Sequence, residues 1–240
     1  MVEENEMTVS ELTALQGGRI CAVVQAPADA ELPLVEEYLN AMDCAVRAAG
    51  YHPVGRAGWR PVSDRPGALE ITLCCLPQQV VLGEYWNITM HAAPNDARTG
   101  ARRAAELAAE GCTLQVPEFA VETEAEFQRR QLYARLEKSH ITLQQHLARL
   151  RTGEQAFFEK LRGYARQDMQ QRCALLAIAR AEGFTVTPEQ LDAAVRMART
   201  RGVKQPDRMQ LRQQLLVQRV TEYVWQNVTV LAAAAQEEQT

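Results

Sequence analysis

The stretch Cys173-Ala-Leu-Leu-Ala-Ile-Ala-Arg-Ala-Glu-Gly183-Phe-Thr-Val-Thr187-Pro-Glu-Gln190-Leu191 decides how this chain is read. Its first half is an apolar run rich in alanine and leucine, both good helix formers. Gly183 is the residue type that ends a helix, because it takes the left-handed conformation without steric cost. Four residues later Thr187-Pro-Glu-Gln190 spells a capping box. A threonine there binds the backbone N–H three residues on, and the glutamine reaches back to the threonine's own N–H. Pro188 suits the first helical position, where no N–H is needed. One helix stops here and another starts.

The same signals recur on both sides. Upstream, Pro117 suits the first position of a helix running to about Lys138, and Thr142-Leu-Gln-Gln145 and Thr152-Gly-Glu-Gln155 repeat the capping box. Downstream, Gly202 marks a stop, and a final helix starts near Pro206-Asp207 and runs past Val230. Apolar residues repeat at spacings of three and four within these segments: Phe158, Leu161, Ala165, Met169, Cys173, Leu176 and Ala179 in one, Met209, Leu216, Val220, Tyr223, Val224 and Leu231 in another. Each helix therefore has a face that must be covered. Phe157 beside Phe158, and Val224 beside Trp225, put bulky groups on azimuths about 100° apart, more than one core readily hides. Everything after the linker Pro94-Asn-Asp-Ala97 reads as helix, up to a loose tail at Gln236–Thr240.

The front differs. Residues 1–17 are polar and read as partly frayed. Arg19–Gln25 is a strand ended near Pro27, and Leu34–Ala49 a helix with Pro33 at its start and Gly50 past its end. Tyr51–Val62 is broken by glycine and proline and reads as loop or edge strand. Ala68–Leu76 is a paired strand, and Val80–Met90 two extended pieces joined at Gly83. The expected class is α+β, mostly α: a small α/β piece over residues 1–95, then an elongated all-helical part with arms over 96–240.

Charge falls unevenly across that boundary. Residues 1–95 hold five Lys/Arg against twelve Asp/Glu; residues 96–240 hold twenty-one against eighteen. An acidic front repels a phosphate backbone, so nucleic acid is not expected as a partner. The run Arg196-Met-Ala-Arg-Thr-Arg201 complements a helix C-terminus. No apolar run reaches the ~18 residues of a membrane span, and the acidic N-terminus lacks signal-peptide order. A cytoplasmic location is the expectation.

Catalytic patterns do not assemble. The six cysteines include no CxxC, and His52, His91, His140 and His146 lack metal spacing. Cys74-Cys75 reads as a pair of buried free thiols. Phosphate-cradling glycine motifs and nucleophile elbows do not occur. No enzyme activity, metal or cofactor is expected.

Taken in order, these segments resemble the C-terminal domain of trigger factor, the bacterial ribosome-associated chaperone. The marks are Val116-Pro-Glu-Phe-Ala-Val-Glu-Thr-Glu124, Leu143 to Leu147, Phe157-Phe158, the joint from Cys173 to Leu191, and the closing helix from Met209. Upstream, Gly50-Tyr-His-Pro-Val-Gly55, Gly67-Ala-Leu-Glu-Ile-Thr-Leu73 and Pro77-Gln-Gln-Val-Val-Leu-Gly-Glu-Tyr85 look like the end of that family's N-terminal domain. The likeness spans roughly residues 34–231. The family's ribosome-docking Gly-Phe-Arg-x-Gly-Lys loop has no counterpart, so ribosome binding is not expected. Its prolyl isomerase domain, which would follow Met90, is missing too.

The resemblance implies a holdase for unfolded or nascent polypeptide. Phe119, Phe127, Tyr133, Phe157, Tyr164, Tyr223 and Trp225 are the candidate peptide-binding residues, with Gln131, Gln144, Gln145 and Gln213 as partners for client backbone. The alternative is an adaptor or assembly protein, a homodimer, using the same fold for one dedicated partner.

Overall fold

The computed structural model describes residues 7–27, 33–77, 79–91 and 97–231. Near the N-terminus lie β1 (Thr8–Val9), β2 (Thr13–Leu15), β3 (Arg19–Gln25), α1 (Val35–Ala48), β4 (Pro53–Pro61) and β5 (Ala68–Cys75). These strands form one antiparallel sheet in the order β1-β3-β5-β4, with β2 beside β1 on the outer edge of β3. The segment expected to fray thus supplies two short strands. Val9 pairs with Val24 and Ala14 with Ile20, so backbone pairing orders a stretch with little side-chain signal. β4 is the opposite edge and its register shifts between Val54 and Gly58, which accommodates its glycines and prolines.

Alternation along β3 and β5 gives the sheet two apolar faces. Ile20, Ala22, Val24, Ile71, Leu73 and Cys75 pack with Tyr38, Met42 and Val46 of α1. Val54, Cys74 and Leu76 pack on the other side with Ala120, Val121, Met169 and Cys173. The latter four belong to helices beyond residue 96, so one apolar cluster draws on both parts of the chain.

Those helices are α2 (Ala97–Glu110), α3 (Glu118–Lys138), α4 (Leu143–Leu150), α5 (Glu154–Ala181), α6 (Pro188–Thr200) and α7 (Arg208–Gln226). The 28 residues of α5 span about 42 Å at 1.5 Å per residue. Its C-terminal half is the axis of the molecule. Ala174, Leu175, Ile178 and Ala179 pack with Ala104, Ala105 and Ala108 of α2 and Val220 and Val224 of α7. Its N-terminal half leaves that body with the end of α3 and with α4. In that projecting arm Leu132, Leu136 and Leu147 are buried while most neighbours are exposed.

Three local expectations change. Pro117 is the N-cap of α3, one residue before the helix proper. The boxes at Thr142 and Thr187 form with both reciprocal bonds. The one at Thr152 does not. Gly153 is the N-cap of α5, and the Thr152 hydroxyl turns to the Gly153 carbonyl. Lastly, α7 stops at Gln226 rather than past Val230. Thr229–Leu231 is a strand, β7, paired in parallel with β6 (Thr89–His91). The β-branched run Val228-Thr-Val230 favours extension, and β6 offers it a ladder. The Pro94–Asp96 linker and the tail Gln236–Thr240 lie outside the described residues.

Candidate functional site

The sheet and the helices are locked together by buried polar groups. Gly55, at φ +69°, sits in the β4 bulge against Ala120 and Met169. Its N–H donates to Gln213 Oε1 at 3.1 Å, and its carbonyl accepts from Gln213 Nε2 at 3.2 Å and from Gln210 Nε2. A glutamine side chain here completes the ladder that the bulge breaks. Gln213 is thereby committed to the fold, and Gln145 caps α4 through the Thr142 N–H. Two of the four glutamines expected to meet a client are already engaged; Gln144 and Gln131 are exposed.

Arg56, next along the bulge, lies 3.3 Å from the Phe127 ring centroid and 3.3 Å from Glu124 Oε2. Arg172 of α5 reaches the same oxygen at 3.3 Å. Glu124 is 3% exposed, so this carboxylate joins sheet, α3 and α5 from inside. Outside, Glu118 bridges Arg162 and Arg166 of α5, and those bonds, the Arg166 one first, hold its carboxyl below the ordinary range.

The candidate aromatics do not converge. Phe119 meets Gly58 of β4, where a Cβ would fall 2.8 Å from its ring, and has Arg19 5.9 Å from its centroid. Phe127 carries Arg56 on its face. Phe157 stacks edge-on with His146 of α4 and with Phe158, at the root of the α4–α5 corner. Tyr133 and Tyr164 stand exposed on α3 and α5. Tyr223 packs edge-on against Phe184, and Trp225 lies half-buried near the end of α7. They form three groups: the arm root, the far arm and the α7 end.

Clefts lie elsewhere. An open one of about 920 Å³ runs between α2, α5 and α7, lined by Arg98, Arg102, Gln171, Gln214, Val217 and Gln218 among others. A groove of about 460 Å³ between α6 and α7 is floored by Ala193, Ala194 and Leu215 and edged by Met197. None of the seven aromatics lines either cleft. They depend on how helices pair, which periodicity does not specify.

Thiol chemistry is suppressed where it is most crowded. Burial pushes the Cys74, Cys75 and Cys173 thiols up to about 12, so they stay protonated at neutral pH. Tyr85 is also held up at about 12, by burial and by donating to Glu182 at 2.7 Å. Among the described residues no group of three His, Cys, Asp or Glu side chains is arranged to hold a metal ion.

A helical body with a projecting arm, built against a small sheet, is the class of fold these elements define. The family model for the bacterial trigger factor protein (TF) C-terminus matches residues 94–230, more than half of the chain, and the chain belongs to that family. A solved structure of trigger factor domains from Thermotoga maritima is 18% identical, covers 60% of this chain and 92% of its own, and superposes with a TM-score of 0.44. No curated protein matches the chain. The family is chaperone-like, and among the described residues no helix is long and apolar enough to cross a membrane.

Proposed function

We propose that this protein is a trigger-factor-like holdase of the bacterial cytoplasm, one that binds unfolded or nascent polypeptide without prolyl isomerase activity or ribosome docking. The observation that supports it is apolar surface left uncovered on the arms. Tyr133 is 44% exposed, Leu150 52%, Tyr164 53% and Met197 54%. The first three belong to the projecting arm; Met197 edges the α6–α7 groove. Covering such groups on a client is worth ~25 cal/mol per Å², which gives weak, sequence-tolerant binding and needs no cofactor.

We assign first contact to Tyr133, Phe157 and Tyr164 on the far arm and to Tyr223 and Trp225 beside α7. Phe119 and Phe127 are half-buried and already meet Gly58 and Arg56, so they contribute less. Gln131 and Gln144 supply donors and acceptors for client backbone.

The purified chain in several-fold excess is expected to suppress light scattering from a chemically denatured client on dilution. The triple variant Tyr133→Ser, Leu150→Ser, Tyr164→Ser is expected to lose most of that suppression while keeping its circular dichroism. No suppression by the parent, or equal suppression by the variant, ends this reading. A tight dimer that hides the arm, seen by static light scattering, points instead to the adaptor.

A further inference from the structure

We infer that the cleft where α1, α5 and α7 meet the start of β4 is a binding site for a carboxylate carried on an apolar body. It has a volume of about 400 Å³, within the range of small-ligand pockets. Four cationic or ionisable side chains line it from four different segments: Arg47 from the last turn of α1, His52 from the turn before β4, Arg180 from the last turn of α5, and Arg212 from α7. Among the described residues no carboxylate lines it.

Among the described residues, the acid that pairs with these cations is Asp43, 2% exposed. Arg47 Nε meets its two oxygens at 3.0 and 3.1 Å. Arg212 Nε lies 3.5 Å from Oδ2, sealed from solvent and without a hydrogen-bond partner. Among the described residues Arg180 has only the Pro77 carbonyl, at 3.4 Å. Two guanidiniums therefore share one buried carboxylate and a third lines the same cleft, an excess of positive charge. Burial of the His52 ring first, and then the positive charges of Arg180 and Arg47, hold its pKa below the ordinary histidine range.

Helix dipoles do not account for the arrangement. A cation in a last turn complements the helix C-terminus, which covers Arg47 and Arg180 one at a time. It does not cover Arg212, in the first half of α7, nor why all three turn into one hollow. Planar guanidinium forks suit a carboxylate's two oxygens. Apart from Gln213 and the rim residue Thr185, the remaining side chains are apolar, Val54, Leu176, Phe184 and Leu216 among them. Such a wall gives nothing to a fully hydrated ion and covers a hydrocarbon tail. The same chemistry comes from two sources, a free aliphatic acid or the C-terminal carboxylate of a chain ending in an apolar residue.

The test is calorimetric titration of the full chain with hexanoate, with acetyl-Gly-Leu and with its C-terminal amide. Saturable one-to-one binding of at least one acid is expected, about tenfold tighter than the amide, the range of a lost charge-assisted pair. Tighter hexanoate assigns the free acid; tighter acetyl-Gly-Leu assigns the chain terminus. Arg180→Gln is expected to weaken that binding about tenfold without touching the Asp43 pairs. Thr185→Glu, at an exposed position on the rim, sets a competing carboxylate there and is expected to do the same. It decides alone if Arg180→Gln fails to fold. Absence of saturable binding by either acid, equal binding of acid and amide, or parent-like affinity in the folded variants overturns the assignment. None of these readouts measures client aggregation, so this site and the holdase reading stand or fall separately.

Discussion

Glu124 shows why single residues matter here. It is the shared partner of Arg56 and Arg172, from the bulge of β4 and from α5. Glu124→Gln leaves two guanidiniums with part of their charge uncompensated. Both arginines keep some solvent, so the cost is expected at about 2–3 kcal/mol, below that of a fully buried pair. Urea denaturation with an unchanged slope would verify it; a loss under 1 kcal/mol would refute this role for the carboxylate. The thiols give a second reading at this scale. Cys44 is exposed, while Cys74, Cys75, Cys112 and Cys173 are buried. A thiol-reactive dye at pH 7.5 is expected to label Cys44 in minutes, and Cys74, Cys75 and Cys173 only as fast as the protein opens. Fast labelling of Cys74 in native buffer would contradict its burial and raised pKa. Gly83 is constrained by close approach instead: a Cβ there would overlap the backbone of Gly111. The segment crosses at that point, where Val81 and Thr113 exchange N–H···O bonds of 2.9 and 2.8 Å.

At the scale of elements, the two threonines with the same local pattern behave differently. Thr187 caps α6 through the Gln190 N–H at 3.3 Å and Gln190 returns to the Thr187 N–H at 3.0 Å. Thr187→Ala is expected to cost ~1 kcal/mol. Thr152→Ala is expected to change stability by less than ~0.5 kcal/mol, because its hydroxyl caps nothing. Thermal melts of the two variants side by side separate these outcomes, and equal losses would show that the box at Thr152 forms in solution. The arm also turns its corners without glycine: His140 and Arg151 sit at φ +53° and +51°. A non-glycine residue pays ~1 kcal/mol there. Arg151→Gly is expected to slow amide exchange in α4 slightly, and faster exchange would count against a strained corner. The strong glycine stops, Gly183 and Gly202 at φ +65° and +86°, were legible; these two corners carry no comparable residue signal.

For the whole molecule, the question is whether the front and the helical part unfold together. Val54, Cys74 and Leu76 share an apolar cluster with Ala120, Met169 and Cys173, and β6 pairs with β7 from the far side of the whole helical part. The division at residue 95 is proposed as a change of chemistry, from sheet to helix and from acidic to basic. With that much shared core, one cooperative transition is expected, with far-UV dichroism and tryptophan fluorescence melting at the same temperature. Trp59 and Trp86 report on the front, Trp225 on α7. Two separate midpoints would make the front an independent domain.

By itself the sequence determined what depends on local chemistry. Helix segments, the glycine stops, two of three capping boxes, the alternation of β3 and β5 and the ordered marks of the family are all written within a few residues of where they act. Only the tertiary structure decided what depends on residues far apart in the chain. It committed Gln213 to Gly55, turned Thr229–Leu231 from helix to strand because β6 lay alongside, ordered β1 and β2 against β3, and split seven aromatics among three places. Periodicity tells which face of a helix needs cover. It does not tell which neighbour arrives, since pairing energy is realised only once the chain has closed on itself.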